Sequence, residues 1–242
     1  MTSSSRLALA CLLALTLLLI LPATSGAQEL PPVAKQMAKT FGLDSFGQVE
    51  AIRYTFSIPG LIPPRTWVWE PKTDTVSYEG KDKEGNPVKV TYKRGDLDSQ
   101  SDDVKKNIDP AFVNDQYVLL FPLHVAWDTW ATVTDEGMHE MPLSKKSARR
   151  VVVKYPGEGG YSPGDTWELY VGKNKRIEEW VYHRNGTEFP KLYTATYEGY
   201  KKAGPLLLST DHEGNGDGKP LRVFFSDVAL KVTGSDNWIN AE

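Results

Sequence analysis

The segment Gly160–Gly164 is the part of the sequence that comes nearest to a catalytic motif. Its letters, G-Y-S-P-G, match the G-x-S-x-G pattern in which many hydrolases hold a nucleophilic serine. In that motif the residue after the serine donates its backbone N–H to the oxyanion hole and begins a helix. Pro163 has no N–H to donate, and residues 166–171 have the pattern of a strand. The segment is therefore predicted to be a Gly- and Pro-rich loop without a catalytic role.

No group of possible metal-ligating residues in the sequence forms a complete set of ligands. The histidines are His124, His139, His183 and His212. None has the H-E-x-x-H spacing of a helical zinc site, so we expect ordinary surface or capped histidines. Asp211–Asp217 has the oxygen spacing that begins a calcium loop, but Arg222 stands where a bidentate glutamate should close it. The sequence therefore predicts a solvated turn there, and no metal, cofactor or catalytic residue.

Aromatic side chains give the more informative pattern. Many of them lie on predicted strands or at their ends, where a wide face of rings must be buried or used. The candidates for lining a ligand cavity are Trp67, Trp69, Tyr78, Tyr92, Tyr117, Phe121, Trp127 and Trp180. Such rings can fill a core or can surround a hydrophobic ligand, and the pattern alone leaves both interpretations open.

Two helices are predicted from apolar spacing. Pro32–Thr40 places apolar residues at the i, i+4, i+8 spacing of one helical face, and Gly42 follows as a C-terminal cap. A second helix is predicted to begin at Asp109 and Pro110, which suit a first turn. It is expected to stop at Pro122, because proline lacks the N–H that an inner helical position needs.

Strands dominate the rest of the chain. About ten are predicted, at 52–58, 65–70, 75–79, 88–93, 149–155, 166–171, 176–184, 191–198, 206–210 and 221–232. Short turns join them, including Lys173–Lys175 and a type I′ turn at Asn185–Gly186, so neighbouring strands should be antiparallel. No repeat or low-complexity linker divides the chain, and residues 28–242 are therefore predicted to be one α+β domain.

Residues 1–27 have the order of a secretory signal peptide. Arg6 precedes the apolar run Leu7–Leu21, and small residues lead to an expected cleavage after Ala27. At ~1.5 Å per residue this run spans about 22 Å, short of the ~30 Å hydrocarbon layer, so an uncleaved anchor is the weaker alternative. Cys11 is the only cysteine, and cleavage removes it. A mature chain without a thiol excludes disulfides, thiolate metal sites and cysteine nucleophiles.

Charge and size restrict the partners. The chain has 242 residues, with 28 Lys plus Arg against 31 Asp plus Glu. Because there is no basic excess to neutralise phosphates, no nucleic-acid partner is expected. A chain of this size can form a full hydrophobic core without disulfide or metal staples. The oligomeric state is not fixed by these features.

The stretch Phe112–Leu123 carries a resemblance to a known family. It is similar to the N-D-x-Y-W-L-x-x-P segment of secreted members of the LolA-like superfamily of periplasmic lipoprotein carriers and lipid-binding relatives, with Val118 in place of the Trp. The order of predicted helices and strands resembles that superfamily as well. The resemblance implies a single, strongly curved antiparallel sheet, an incomplete barrel, wrapped around two or three helices with an apolar cavity between. No counterpart of the carriers' functional arginine can be placed on this chain, so lipoprotein transfer itself is not implied.

Three hypotheses about function follow. The first is an exported, non-enzymatic binding protein of the cell envelope, periplasmic or secreted, that holds a lipid or other hydrophobic ligand in the concave face of the sheet. The second is an envelope hydrolase that uses His183 or His124 with nearby carboxylates. The third is an accessory domain whose aromatic face meets a partner protein. Native mass spectrometry for bound lipid, activity assays and crosslinking distinguish them.

Overall fold

The structure, a computed structural model, describes residues 29–186 and 193–242. The predicted signal peptide and the first part of the strand expected at 191–198 lie outside the described residues. The α-helices are α1 (Pro32–Thr40) and α2 (Asp109–Trp127). Shorter helical turns occupy Leu43–Gln48, Arg94–Ser99 and Val104–Ile108, the last of which leads directly into α2.

All strands of the described residues belong to one antiparallel sheet. They are β1 (Val49–Ile58), β2 (Ile62–Glu70), β3 (Thr75–Lys81), β4 (Pro87–Lys93), β5 (Thr132–Glu140), β6 (Ser147–Lys154), β7 (Thr166–Val171), β8 (Ile177–His183), β9 (Tyr193–Thr196), β10 (Glu198–Ala203), β11 (Leu206–Gly216), β12 (Lys219–Val232) and β13 (Ile239–Asn240). The order across the sheet is β4-β3-β2-β1-β12-β11-β9-β8-β7-β6-β5, with β10 also beside β11 and β13 beside β12. Strands β4 and β5 are thus its two edges.

The sheet curves around α2. Strands β2 and β7 are six positions apart, which in a flat sheet is roughly 29 Å at ~4.8 Å per strand. Both nevertheless contact α2, because Trp67 of β2 donates to Asp115 at 2.9 Å and Trp167 of β7 stacks on Phe121 at 4.3 Å between ring centroids. Those two helix residues are only about 9 Å apart along the axis. The predicted fold class, an α+β incomplete barrel around its helices, is confirmed.

Helix α2 lies inside the curve, and its buried apolar side chains are spread around most of its circumference. Its buried residues include Phe112, Leu119, Leu120 and Val125, which do not share one helical face. A helix of this kind must be surrounded by protein, and the concave sheet surrounds it. Helix α1 packs on α2 through its own apolar face, whose buried residues include Val33 and Met37. The core is therefore continuous between the helices and the concave face.

Pro122 does not end the second helix, contrary to the sequence prediction. Helix α2 continues through it to Trp127. An inner proline leaves the carbonyl of residue i−4 without its helical donor, here Val118. The hydroxyl of Tyr197, at the break between β9 and β10, donates to that carbonyl at 3.3 Å. A tertiary hydrogen bond thus replaces the backbone hydrogen bond that the proline removes.

The predicted type I′ turn at Asn185–Gly186 is wrong in its register. Both residues have positive φ, 57° and 97°, as such a turn requires. Strand β8, however, ends at His183, and Tyr182 lies opposite Tyr193, so the connection is much longer than two residues. Strand β11 is also longer than predicted and runs through Asp211 to Gly216, so the expected solvated turn at 211–217 is mostly strand.

Within residues 29–186 and 193–242, no helix combines the length and apolar character needed to cross a membrane.

Candidate ligand-binding cavities

A cavity of about 440 Å³ lies between α2 and the concave face of the sheet. We call it the sheet cavity. Strands from both halves of the sheet contribute Phe56, Ile58, Trp180, Leu221 and Val223, and α2 contributes Val113, Tyr117 and Val118. Its rim is more polar, with Asp165, Arg184 and Asn185. A cavity of this size and lining can hold part of an acyl chain or another apolar molecule.

A second cavity of about 590 Å³ lies on the other side of Tyr117. We call it the tryptophan cleft, since Trp69, Trp127 and Trp130 line it. Polar side chains also reach it: Asp74, Arg94, Gln116, His124 and Asp128. Trp130 is 58% exposed, whereas Gln116 and His124 are buried in the wall. The cleft is therefore open at one end and polar at its base.

The two cavities share part of their lining. Val113, Tyr117, Tyr161 and Ser162 contact both. Tyr161 belongs to the loop of residues 156–165, in which three glycines have positive φ. Its hydroxyl donates to Asp109 Oδ2 at 2.5 Å, and this contact fixes the ring between the cavities. Burial and the neighbouring Asp109 carboxylate together raise the pKa of Tyr161, so it remains a hydrogen-bond donor at neutral pH.

Asp109 is a fully buried carboxylate at the start of α2. Besides Tyr161, the hydroxyl of Tyr92 donates to Oδ1 at 3.0 Å and Arg94 Nε donates to the same atom at 2.9 Å. A buried carboxylate is stable only when such donors replace its hydration. The cluster therefore connects the loop of residues 156–165, strand β4 and helix α2 below the cavities.

Asp115, also fully buried, links α2 to strand β2. Trp67 Nε1 donates to it at 2.9 Å and Arg65 at 3.1 Å. The amide of Asn114, which lines the sheet cavity, donates to Oδ1 at 3.1 Å. Burial raises the pKa of Asp115 to about 7, although Arg65 acts in the opposite direction. Asn114 and Asp115 are the first two letters of the N-D-x-Y segment, and here they position the helix beside the cavity.

Asp128, just after α2, forms a third buried cluster at the base of the tryptophan cleft. Tyr117 and Tyr155 donate hydroxyl hydrogen bonds to Oδ2 at 2.7 and 2.8 Å, and His124 Nδ1 lies 3.2 Å from Oδ1. Burial alone would raise the pKa of Asp128, but the hydrogen bonds from His124, Tyr117 and Tyr155 outweigh it and lower that pKa. The other ring nitrogen of His124 is 2.9 Å from Gln116 Oε1. Both imidazole nitrogens are thus engaged by protein groups.

Of the surface or capped histidines that the sequence predicts, three are buried and hydrogen-bonded and one lies nearer the surface. His124, His183 and His212 are at most 8% exposed, and only His139 lies nearer the surface. His183 Nε2 is 2.8 Å from Glu168 Oε1, and His212 Nδ1 is 3.2 Å from the Thr196 carbonyl oxygen. Burial lowers the pKa of His212 to about 4, so its imidazole is neutral at physiological pH. The sequence does not distinguish buried from exposed histidines here, because each lies on a strand or helix of mixed polar and apolar residues.

The predicted cavity rings divide between two environments. Tyr117 and Trp180 line the sheet cavity, and Trp69, Tyr117 and Trp127 line the tryptophan cleft. The remaining four, Trp67, Tyr78, Tyr92 and Phe121, are at most 6% exposed and pack in the core without lining either cavity. Trp67 stacks against Tyr78 at 4.6 Å and lies edge-on to Phe112 at 5.5 Å between ring centroids. Their structural surroundings are those of core residues.

Sequence reasoning did not single out the residues that organise the site. Asp109 had only a helix-start signal, and Asp115 was part of the motif without an assigned role. Tyr161 lies in the segment whose resemblance to a hydrolase motif was rejected, and the structure places that segment in a loop that leads into strand β7. Their partners are up to 52 residues away along the chain, so no local spacing could reveal these contacts.

No protein-family model matches the sequence, and no curated protein matches it. Among solved structures, the chain is similar to a DUF1329 family protein from Desulfovibrio piger, at 11% identity and a TM-score of 0.44 over 84% of this chain and 92% of that chain. It is also similar to a LolA superfamily protein from Nitrosomonas europaea, at 9% identity and a TM-score of 0.42 over 82% and 93% of the two chains. Mycobacterium tuberculosis lipoprotein LppX is similar at 6% identity and a TM-score of 0.30 over 81% and 95%.

Proposed function

We propose that this protein is an exported, non-enzymatic binding protein of the cell envelope that holds a lipid or other apolar ligand in the sheet cavity. The observation that carries the proposal is the cavity of about 440 Å³ enclosed by α2 and the concave sheet. Each CH₂ group that leaves water there contributes about 0.8 kcal/mol, so part of an acyl chain binds usefully without a catalytic residue. The signal-peptide pattern of residues 1–27 supports export.

Val118 offers a direct test of the sheet cavity. Its half-buried side chain faces the cavity from α2, and valine and tryptophan have similar helix propensities. Val118→Trp should fill the space while leaving the helix intact, whereas Val118→Ala at the same position should enlarge it. We expect saturable uptake of a dansyl-labelled undecanoic acid by the wild type and by Val118→Ala. Val118→Trp should bind it about tenfold more weakly or worse, with a thermal midpoint close to that of the wild type.

Two results would refute this function. One is absence of uptake by the wild type together with absence of co-purified lipid in native mass spectra. The other is uptake that Val118→Trp leaves unchanged, which would place the ligand elsewhere. Export is tested separately by expressing the full chain and sequencing the N-terminus of the envelope fraction, where the expected first residue is Gln28.

A further inference from the structure

The tryptophan cleft has hydrogen-bonding groups that no group of the described residues satisfies. Within residues 29–186 and 193–242, the indole N–H groups of Trp127 and Trp130 have no acceptor, and neither nitrogen is among the fully enclosed polar atoms without a partner. One polar atom of the Gln116 amide contacts His124. Whichever way that amide is turned, its other polar atom has no partner in the described residues. The cleft therefore has free polar atoms for a ligand.

Asp74 adds an acceptor at the edge of the cleft. Its Oδ1 accepts the indole N–H of Trp69 at 3.1 Å and lies 3.9 Å from Arg94. Its Oδ2 accepts no side-chain hydrogen bond in the described residues, and the side chain is 43% exposed. Residues with free donors and a free acceptor thus line the same cleft as three tryptophans.

Arg94 and Asp128, two of the charged groups that line the cleft, are held by other protein groups. Arg94 is held by Asp109 at 2.9 Å and approaches Asp74, so it is not a free cation for an anionic ligand. Asp128 is already the acceptor for Tyr117 and Tyr155, so it is not a free anion for a cationic ligand. An anionic ligand would meet no free cation here, and of the two lining carboxylates Asp74 is the one that keeps an oxygen without a side-chain hydrogen bond in the described residues. An uncharged ligand with both donors and acceptors can use this oxygen together with the free N–H groups.

We propose that the tryptophan cleft binds an uncharged sugar ring. Sugar hydroxyls both donate and accept, which matches Asp74, Gln116 and the indole N–H groups. The apolar C–H face of a sugar ring packs against an aromatic face, and exposed Trp130 provides one at the open end. The volume of about 590 Å³ is in the range of small-molecule sites.

The sugar has two possible sources, a free saccharide or the head group of a glycolipid. Because Val113, Tyr117, Tyr161 and Ser162 line both cavities, one amphiphile can place its ring in the cleft and its chain in the sheet cavity. Only this glycolipid form rests on the proposed function. Sugar binding in the cleft alone does not depend on it.

The test is calorimetric titration of four probes: methyl β-glucoside, octyl β-glucoside below its critical micelle concentration, octanol and octyltrimethylammonium. We expect octyl β-glucoside to bind the wild type about tenfold or more tightly than octanol does. Trp130→Ala should remove that advantage while leaving uptake of dansyl-labelled undecanoic acid unchanged. Trp238→Ala is the matched control, since Trp238 lies over Arg53 at 4.8 Å and lines neither cavity; it should bind like the wild type.

The other outcomes distinguish a free saccharide from a glycolipid head group, and failure of the sugar site from failure of the proposed function. A Val118→Trp variant that loses affinity for octyl β-glucoside but not for methyl β-glucoside supports a glycolipid head group. Equal binding of both glucosides in wild type and Val118→Trp supports a free saccharide. Sugar binding without fatty-acid uptake refutes the proposed function and supports the cleft. Three results overturn the sugar site. The first is fatty-acid uptake without a preference for octyl β-glucoside over octanol, and the second is such a preference that Trp130→Ala leaves intact. The third is tighter binding of octyltrimethylammonium than of octyl β-glucoside.

Discussion

Asp115 shows how one buried carboxylate makes stability depend on pH. Burial raises the pKa of Asp115 in the folded protein to about 7, against 3.8 for an exposed aspartate. Between these values the folded state binds a proton that the unfolded state releases. The stabilising contribution is therefore complete below pH 3.8 and is lost as the pH rises through about 7.

Asp115→Asn tests this dependence. We expect the free energy of unfolding of the wild type, relative to that of the variant, to fall by on the order of 2 kcal/mol between pH 5 and pH 7.5. Urea unfolding of both proteins across this range measures the difference, in which the titration of all other groups cancels. A difference between the wild type and Asp115→Asn that stays constant across this range would contradict the assignment.

At the level of single residues, the sequence predicts which rings are worth attention but not which of them face a cavity. Trp67 and Trp69 alternate with Val68 in the same strand, and the pattern treats them alike. In the structure Trp67 is fully buried against Asp115, whereas Trp69 lines the tryptophan cleft. The indole N–H of Trp67 donates to Asp115, 48 residues away along the chain, whereas that of Trp69 donates to Asp74, only five residues away.

Helix α2 contains a proline that another element compensates. The Val118 carbonyl cannot receive a hydrogen bond from residue 122, and Tyr197 supplies one from the sheet. This hydrogen bond also joins the helix to the break between β9 and β10. Pro122 therefore interrupts the hydrogen bonds within the helix, and the carbonyl that it leaves free forms a contact between helix and sheet.

A double-mutant cycle measures this compensation. Tyr197→Phe should cost about 1–2 kcal/mol of unfolding free energy, because it removes the donor to a buried carbonyl. In a Pro122→Ala background the cost should be smaller by about 1 kcal/mol, since the N–H of Ala at 122 can donate to Val118 instead. Chemical unfolding of the four proteins gives the coupling energy. Equal costs in the two backgrounds would show that Tyr197 acts through packing alone.

The bounds of helices and strands were predictable where the local residue pattern determines them. They were not predictable where contacts with distant residues determine them. Alternating residues at 75–79 and 166–171 correspond to β3 and β7. The end of α2 was misplaced because the propensity of Pro122 is a local signal, while Tyr197 lies 79 residues from the carbonyl that it satisfies. The turn at Asn185–Gly186 was misjudged for a related reason: a dipeptide shows the sign of φ, but not the register of the strands around it.

For the whole molecule, alternation and short turns predicted an antiparallel α+β sheet, and the structure confirms it. The cavity could not be predicted in this way. Its volume depends on how far the sheet curves and on the side chains that α2 presents, such as Val118, neither of which alternation specifies. The pairing of β1 with β12 was equally hidden, since each has many possible antiparallel neighbours.

Amide hydrogen exchange should reveal the order of the strands. Strands β1 and β12 lie in the middle of the sheet and have partners on both sides, whereas β4 and β5 are edges with one partner each. We expect peptides from 49–58 and 221–232 to exchange more slowly than peptides from 87–93 and 132–140, by about tenfold or more. Mass spectrometry of peptic fragments measures these rates. Edge peptides that exchange as slowly as central ones would contradict an open sheet.

Pairing β1 with β12 has a consequence for how the chain is made. Val49 lies opposite Val232, so the middle of the sheet joins residues at almost opposite ends of the described chain. A ribosome must release nearly the whole polypeptide before this contact can close, and contacts of such long sequence separation make folding slow. Until then, strands β1 to β4 have no completed sheet to join. A nascent chain therefore completes the centre of this sheet only near the end of its synthesis.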